Sequence, residues 1–332
     1  MEGSLLGVVD LRTVFLTDDG ILRAVDGVSF SVNESERVAI VGESGSGKSV
    51  TAASIMRLIE PPGAIVNGRV IFRDRDLLEL SEAEMQQIRG GDIAMIFQDP
   101  MTALDPMFTI GDQMVQTLKA HQEITRAAAR EAAVDALNDV GIPNPKRRVD
   151  DYPHQFSGGM RQRVVIAMAL MCRPSLLIAD EPTTALDVTT QAQVFDLMMT
   201  LAEDLKTAVI LITHDLGVVA GFCETVQVMY AGRMMERGHA SDVYRNPGHP
   251  YTKGLLRSAT RVDHDAKRRL ETIGGSPPSL ISPPSGCRFH PRCDHAGDLC
   301  VTNDPVLTDL GEGRASSCHF ADELLGGSWN RE

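Results

Sequence analysis

Short apolar stretches alternate with turn-forming residues over the first part of the chain, and this pattern is typical of strands. Four stretches are predicted to be strands: Val25–Val32, Val38–Val41, Gly68–Phe72 and Ile93–Phe97. Ser81 and Glu84 have the spacing of a capping box, so a short helix is expected to begin there and to run toward Arg89. The beginning of the chain is therefore expected to be rich in strands.

A helical pattern replaces the strand pattern between Asp99 and Arg163. Its clearest part is Arg126 to Val140, which carries small and apolar residues on one face and stops before Gly141, a common C-cap residue. Further along, the pattern predicts a strand, a helix and a strand at Leu176–Ala179, Thr190–Leu205 and Ala208–Thr213. This order predicts an α/β core interrupted by an α-helical insert.

The segment Gly42 to Ser49 reads G-E-S-G-S-G-K-S, a complete match to the phosphate-binding pattern G-x-x-x-x-G-K-[ST]. The predicted strand Val38–Val41 precedes it and a helix-compatible segment, Val50 to Ile59, follows it, as this loop requires. Glycines let backbone N–H groups turn toward a polyphosphate, and a helix N-terminus favours the same negative charge. We therefore predict a polyphosphate site, with Lys48 at the β- and γ-phosphates and Ser49 at Mg²⁺.

Two carboxylates, Asp180 and Glu181, follow the apolar strand at Leu176–Ala179. In open α/β sheets, ligands bind at the carboxyl ends of strands. Asp180 is therefore predicted to hold Mg²⁺, directly or through water, and Glu181 to accept a proton from the attacking water or to orient it.

A second candidate anion site is the run Ser157-Gly158-Gly159, which precedes the apolar helix predicted at Val164–Cys172. Two chains facing head to tail could each complete the other's site with such a run. Taken alone, however, Ser-Gly-Gly is also a common turn.

Composition limits the setting of this chemistry. The chain has 332 residues, 43% hydrophobic and 23% charged, and a net charge of −13, which argues against a general nucleic-acid-binding surface. The segment Met1–Ser4 lacks the features of a secretion signal, and the longest apolar run, Val164–Cys172, is far shorter than the about 20 residues of a membrane span. We expect a soluble, cytosolic protein whose membrane contact is peripheral.

Together these motifs resemble the ATP-binding cassette (ABC) ATPases over roughly residues 5 to 260. The motifs that carry the resemblance are Gly42–Ser49, Gln98, Ser157-Gly158-Gly159, Asp180-Glu181, Ala185-Leu186-Asp187 and His214. Phe156 and Met160 replace the outer residues of the usual L-S-G-G-Q signature. The resemblance implies a P-loop NTPase core of the ABC ATPase type with an inserted α-helical subdomain and a small Cys-containing C-terminal region. The expected boundaries are 1–98 and 164–260 for the core, 99–163 for the insert and 261–332 for the extension.

The same resemblance implies roles for single residues. Glu181 would be the catalytic base, His214 would reach the γ-phosphate, and Gln98 would bind Mg²⁺ and sense the lytic water. Mg²⁺ is expected to be held through Ser49, Gln98 and Asp180. Nucleotide contacts are expected from Phe15, which would stack on adenine, and from Gly42, Ser44, Gly45, Ser46, Gly47, Lys48, Ser49 and Val50. Ser157, Gly158 and Gly159 would bind the nucleotide of a partner ATPase, and Asp187 lies on the loop that communicates across the dimer.

Three further segments resemble the ATPases of oligopeptide and dipeptide importers: Phe97–Pro106, Asn246–Thr252 and Gly286–Cys293. This resemblance implies two transmembrane permeases, a second and paralogous ATPase, and an extracytoplasmic peptide-binding protein, with this chain on the cytoplasmic side of the membrane. Nickel and glutathione importers share the subfamily and remain alternatives. A soluble ABC ATPase without permeases is a further alternative, disfavoured because the chain has one phosphate loop and no heptad run.

The end of the chain carries four of the six cysteines. After a proline-rich stretch expected to be a linker, Gly274 to Gly286, they follow at Cys287, Cys293, Cys300 and Cys318. The spacing C-x5-C-x6-C-x17-C is not that of a zinc ribbon or a bacterial ferredoxin, but four thiolates suit iron–sulfur or zinc. Relatives with this tail that carry a [4Fe–4S] cluster favour iron over Zn²⁺. The alternative is a set of reduced cysteines that help a small domain to pack.

Overall fold

The computed structural model of the chain describes residues 3–99, 103–183, 188–258 and 273–326, except for the side chains of residues 188 and 189. The chain forms two compact units. The first unit is drawn from Met1–Val32, Arg37–Leu78 and Ile212–Glu332. The second unit is drawn from Asn33–Glu36 and Glu79–Leu211.

The described strands, in chain order, are β1 (Leu6–Thr17), β2 (Gly20–Val32), β3 (Arg37–Val41), β4 (Gly63–Phe72), β5 (Arg75–Asp76), β6 (Ile93–Ile96), β7 (Leu176–Asp180), β8 (Ala208–Thr213), β9 (Thr225–Tyr230), β10 (Arg233–His239), β11 (Thr308–Gly311) and β12 (Arg314–Ser316). The described α-helices are α1 (Lys48–Ile55), α2 (Glu82–Ile88), α3 (Ile110–His121), α4 (Arg126–Asp139), α5 (Pro145–Arg148), α6 (Gly158–Leu170), α7 (Val188–Asp204), α8 (Leu216–Phe222), α9 (Ala240–Arg245), α10 (Pro250–Ser258), α11 (Asp298–Thr302) and α12 (Ala321–Leu325). Short 3-10 turns occur at Pro153–Gln155 and His290–Arg292.

The first unit contains an antiparallel sheet with the strand order β2-β1-β4-β5. β1 and β2 form a hairpin in which Leu6 pairs with Val32 and Thr17 pairs with Gly20. The predicted strand at Val25–Val32 is the second half of β2. The first half of β2 and the whole of β1 were not predicted, because polar residues such as Arg12 of β1 stand between their apolar residues and weaken the apolar pattern.

The same unit also holds five neighbouring strands in the order β11-β12-β10-β9-β3, of which β3 leads to the phosphate loop. β3 runs parallel to β9, with Val38 opposite Thr225 and Val41 opposite Val228, and β9 is antiparallel to β10. Residues Val38–Val41 are all buried, which explains the uninterrupted apolar run in their sequence. The helix after the loop, α1, ends at Ile55, so its predicted extent to Ile59 is wrong; Arg57 already has a positive φ of 52°.

The second unit contains strands in the order β8-β7-β6, and the last two residues of β8 belong to the first unit. β6 and β7 are parallel, with Ile93 opposite Leu176 and Ile96 opposite Ala179. Every residue of β7 is buried. Because the two strands are parallel and in register, their carboxyl ends lie at the same edge.

The predicted helical insert falls in the second unit, and hydroxyl side chains cap its helices. Thr109, Thr125 and Ser157 accept hydrogen bonds from backbone N–H groups at the starts of α3, α4 and α6. The predicted helix at Arg126–Val140 is confirmed as α4, and Gly141 follows it with a positive φ of 70°. Its buried face, Ala129, Ala133 and Leu137, explains the apolar pattern, whereas α3 was not predicted.

The C-terminal residues of the first unit pack around one aromatic cluster. The ring of Phe289 lies 5.3 Å from those of Tyr230 and Tyr251, and 5.9 Å from His249. All six cysteines are free thiols. Among the helices in the described part of the chain, none is long and apolar enough to cross a membrane.

Candidate active site

The phosphate loop lies in the first unit between β3 and α1. Gly47 caps α1 with a left-handed backbone, φ 102°, and a Cβ on it would lie 2.3 Å from the carbonyl oxygen of Ala24. A Cβ on Gly42 would lie 2.1 Å from the carbonyl oxygen of Met229. The backbone at both ends of the loop therefore approaches its neighbours too closely for any side chain, which is why these positions require glycine.

Lys48 is buried and folds back over the loop. Its Nζ donates to the carbonyl oxygens of Gly42 at 2.8 Å and Glu43 at 3.0 Å, and contacts Ser46 Oγ at 3.4 Å. The ammonium group is therefore held inside the curve of the loop, where the phosphates were predicted. The other predicted contacts are exposed or half-buried: Ser44, Gly45, Ser49 and Val50.

Two more predicted residues of the first unit lie on other elements. His214 is exposed directly after β8, and Asp215 beside it caps α8 through Gly217. Phe15 is half-buried on β1, and Gly63 of β4 lies opposite it. A Cβ on Gly63 would lie 2.6 Å from the Phe15 ring, so the ring leaves no room for a side chain there. This half-exposed ring is compatible with stacking on a base, which stays a prediction.

In the second unit, the structure brings three predicted residues to the ends of β6 and β7. Gln98 Nε2 donates to Glu181 Oε2 at 3.1 Å. Asp180, the last residue of β7, is 5% exposed, whereas Gln98 is exposed to solvent. Glu181 has a φ of 44°, a left-handed conformation that is uncommon for a residue other than glycine. Such strain is found at functional sites more often than elsewhere.

The signature run forms the start of α6. The Ser157 hydroxyl accepts a hydrogen bond from the N–H of Met160, and Ser157 and Gly158 are exposed. A Cβ on Gly159 would lie 2.8 Å from the Thr190 methyl group, so a side chain at this position would press against α7. Phe156, where the usual signature has leucine, is 2% exposed and fills a core position. Asp187, with Ala185 and Leu186, lies outside the described residues.

The four tail cysteines line one cavity of about 10 Å³, which we call the thiol cavity (Cys287, Cys293, Cys300 and Cys318). Such a volume is about the minimum for one water molecule. His249, His290, His295 and His319 also line it. Burial raises the pKa of Cys293 to about 11 and that of Cys318 to about 12, so these groups are neutral thiols at neutral pH.

The prediction of a metal site at these cysteines is not supported by the structure. Among the described residues, no group of three or more His, Cys, Asp or Glu side chains is arranged to hold a metal ion. The donor set has the right chemistry, but the four cysteines surround a small void, whereas a metal or cluster needs thiolates at bonding distance.

Several residues that contact the phosphate loop were not predicted from the sequence. Tyr251 Oη accepts a hydrogen bond from the Glu43 N–H at 2.8 Å, and Arg292 binds the Glu43 carboxylate through Nη1 at 2.6 Å. In the sequence, Tyr251 lies 208 positions from Glu43, and Arg292 lies 249 positions from it. No local pattern in the sequence signals a contact over such a separation.

A phosphate loop between a buried parallel strand and a helix, together with carboxylates at the end of a buried strand, is the arrangement of P-loop nucleoside triphosphatases. Comparisons with known proteins narrow this class. Residues 25–184 match the ABC transporter family, and residues 235–300 match the C-terminal region of oligopeptide/dipeptide transporters.

Individual relatives match over nearly the full length. The chain is 51% identical to the dipeptide transport ATP-binding protein DppD of Bacillus subtilis (strain 168), over 96% of this chain and 95% of that protein. It is also 51% identical to the oligopeptide transport ATP-binding protein OppD of Salmonella typhimurium, over 97% and 95%. A solved structure, the dimeric ATP-binding cassette MJ0796 in a post-hydrolysis state with ADP and Pi, matches with a TM-score of 0.63 and 27% identity, over 71% of this chain and 98% of that one. The chain therefore belongs to the ABC transporter family, as one of its ATP-hydrolysing cassettes.

Proposed function

We propose that this chain hydrolyses ATP to drive the uptake of dipeptides or oligopeptides through partner membrane proteins. The similarity to dipeptide and oligopeptide transport subunits supports this proposal most strongly, because it extends over 96% and 97% of the chain. It also includes residues 235–300, which match a region typical of peptide transporters rather than of cassettes in general.

The proposed partners are two transmembrane permeases, a second and paralogous ATPase, and an extracytoplasmic peptide-binding protein. In this assembly the chain acts at the cytoplasmic side of the membrane as a peripheral subunit. Its core is proposed to be residues 1–98 and 164–260, its helical subdomain 99–163 and its extension 261–332.

The proposed roles of single residues are those that the resemblance to ABC ATPases implies for each unit. In the first unit, Lys48 and the amides of Gly45 to Ser49 bind the phosphates, and His214 contacts the γ-phosphate. In the second unit, Glu181 accepts the proton of the attacking water while Gln98, hydrogen-bonded to it at 3.1 Å, orients that water. Ser157 and Gly159 contact the nucleotide of the partner ATPase, and Asp187 communicates with that subunit.

Mg²⁺ is the proposed cofactor, and it neutralises charge on the phosphates. Ser49, Gln98 and Asp180 would hold it. Their hydroxyl, amide and carboxylate oxygens are the ligands that this hard cation prefers. Asp180 is buried at the end of β7, and burial of a charged carboxylate costs free energy. A bound cation would offset this cost by neutralising the charge.

The proposal is tested by assembling the chain with its membrane partners in vesicles and measuring ATP-dependent uptake. We expect labelled dipeptides or oligopeptides to be taken up and to stimulate ATP hydrolysis. If nickel or glutathione is taken up and peptides are not, the transported substrate is nickel or glutathione. Hydrolysis without any transport in the complete assembly would contradict the importer function.

A [4Fe–4S] cluster, or alternatively Zn²⁺, held by the four cysteines that line the thiol cavity stays a prediction from the sequence. Anaerobically purified protein is expected to be brown, to contain iron, and to lose its visible absorbance in Cys293→Ser. Because burial raises the pKa values of Cys293 and Cys318, loading is expected to release protons and to weaken as the pH falls. Cys172→Ser, at a cysteine outside the cavity, is the matched control. Colourless protein with neither iron nor zinc would contradict the prediction.

A further inference from the structure

A guanidinium group from the C-terminal extension binds the phosphate loop directly. Arg292 donates from Nη1 and Nη2 to the two carboxylate oxygens of Glu43, at 2.6 and 3.0 Å. The Arg292 side chain is 4% exposed and that of Glu43 is 27% exposed. Two-point charge-assisted hydrogen bonds of this kind are among the strong ones in proteins, and they fix orientation as well as distance.

Arg292 is itself held in place by other parts of the first unit. Its Nε donates to the carbonyl oxygen of Gly274 at 2.8 Å, and its guanidinium lies 5.7 Å from the centre of the Tyr230 ring. Tyr230 in turn belongs to the aromatic cluster around Phe289. Hydrogen bonding to Glu43 raises the pKa of Arg292 further above its usual value, so the residue stays charged. The position of the charge is therefore fixed before any nucleotide arrives.

Glu43 has each of its polar groups engaged at the centre of this arrangement. Its N–H donates to Tyr251 Oη at 2.8 Å, and its carbonyl oxygen accepts from Lys48 Nζ at 3.0 Å and from the Ser46 N–H at 3.2 Å. The residue thus connects the extension to the lysine that was predicted to bind phosphate. A shift of Glu43 would move the carbonyl oxygen that holds Lys48.

A second arginine of the extension supports the other side of the loop. Arg288 donates to the carbonyl oxygen of Ala231 and pairs with Asp26. The next residue, Gly232, donates its N–H to the carbonyl oxygen of Ser46 at 2.9 Å. The segment Cys287–Cys293 therefore reaches the loop along two routes, one direct and one through the β9–β10 turn.

We propose that Arg292 is a positioning residue for ATP binding, which acts through Glu43 by fixing the phosphate loop and by compensating the negative charge that the Glu43 carboxylate brings to this loop. This inference rests on the proposed function, because it concerns how the same loop binds ATP. An uncompensated carboxylate on the phosphate loop would repel a triphosphate that binds there. Arg292 removes that repulsion, so its loss should weaken nucleotide binding more than it slows hydrolysis of bound nucleotide.

The test compares variants of the full-length chain by their KM and kcat for Mg-ATP and by their affinity for a fluorescent ATP analogue. Arg292→Gln is expected to raise KM about fivefold or more, with a much smaller change in kcat. Arg292→Lys keeps the positive charge but not the two-point contact, so its KM should lie between those of wild type and Arg292→Gln. The double variant Arg292→Gln with Glu43→Gln should have a lower KM than Arg292→Gln alone, because it removes the uncompensated charge.

The double variant separates compensation of the Glu43 charge from general support of the fold. It lacks the ion pair just as Arg292→Gln does, so a purely structural role predicts that its KM is no better. Arg37→Gln is the matched control, because Arg37 forms an equally short pair with Glu224, 2.6 Å, at the end of β3 away from the loop. This control should leave KM unchanged. If Arg292→Gln does not fold, the KM of Arg292→Lys is compared with and without Glu43→Gln to test the same charge compensation.

Two results would overturn the inference: an unchanged KM in Arg292→Gln, or a double variant as impaired as the single one. Both are distinct from failure of the proposed function, in which the wild-type chain itself would not bind or hydrolyse ATP.

Discussion

The phosphate loop and the Gln98–Glu181 pair are held in different ways. In the loop, Lys48 is buried and donates to two carbonyl oxygens, and glycines at both ends fit against neighbouring backbone. Glu181, by contrast, is half-buried, has a left-handed backbone with φ 44°, and accepts a hydrogen bond from the exposed Gln98. The two ends of the loop pack closely against neighbouring backbone, whereas Glu181 lies on a strained and accessible backbone.

This difference matches the different demands of binding and of chemistry. A loop that surrounds phosphates benefits from a geometry that is fixed in advance, because ligand binding then does not have to order it. A residue that handles the proton of the attacking water needs access to water and a defined direction, and local strain is a common way to aim such a side chain. Variants should therefore separate the two regions, with effects on turnover at one and on folding and affinity at the other.

The largest expected effect is on turnover, from Glu181→Gln. Because the amide cannot accept the proton, kcat should fall at least about 100-fold, whereas ATP binding should persist because the phosphate loop is untouched. Hydrolysis and ATP binding are measured on the same preparation. Asp196→Asn, at an exposed acid of α7, is the control and should behave like wild type. Unchanged hydrolysis in Glu181→Gln would contradict the role given to this residue.

The next largest effect is on stability, from Gly47→Ala. The added Cβ would lie 2.3 Å from the Ala24 carbonyl oxygen at a φ of 102°, and the free energy of unfolding should fall by about 3 kcal/mol. Gly45→Ala is the matched control in the same loop, because its φ of 76° is also positive but a Cβ there meets no atom within 4 Å. It should cost about 1 kcal/mol in urea unfolding. Equal costs at the two positions would show that close packing does not fix the loop.

The smallest expected effect depends on pH and comes from His249 in the first unit. Burial lowers its pKa from 6.5 to about 4, and the side chain is 1% exposed. As the pH falls below 6.5, the unfolded chain therefore binds a proton that the folded chain does not, so stability is lost progressively down to about pH 4. Between pH 7 and pH 5 the loss should be about 2 kcal/mol.

His249→Gln should remove most of this dependence, as measured by urea unfolding at both pH values. Glu236 acts in the opposite direction, because burial raises its pKa, so the difference between wild type and variant is the informative quantity. His154→Gln, at an exposed histidine, is the control and should keep the wild-type pH dependence. An equally steep dependence in His249→Gln would show that other groups cause it.

Much of the fold was predictable because the order of apolar and polar residues within a short segment indicates its secondary structure. β3, β6, β7 and β8 are short, largely buried strands. Their apolar runs are shorter than a typical helix, so the run length favours a strand. The helix α4 was predictable from the spacing of its buried face and from Gly141. β1 was not, because it mixes polar and apolar residues and its register with β2 shifts along its length.

The site divides in the same way. The position of Gly42–Ser49 between a strand and a helix, and that of Asp180 and Glu181 at the end of a buried strand, were predictable because such motifs have fixed residue types next to a strand. The hydrogen bond between Gln98 and Glu181 depends on the parallel pairing of β6 with β7, which brings together residues 83 positions apart. The four cysteines were predicted as a group, but only the structure shows that they line one small cavity.

By itself, the sequence determined which elements form around the phosphate loop and which residue types carry the chemistry, because both follow from neighbours within a few positions. Only the tertiary structure decided that the C-terminal extension holds the loop through Arg292 and Glu43, which are 249 positions apart. The physical reason is that an ion pair between distant residues depends on the folded path of the chain, and charge pairing leaves no periodic pattern in the sequence that could indicate it.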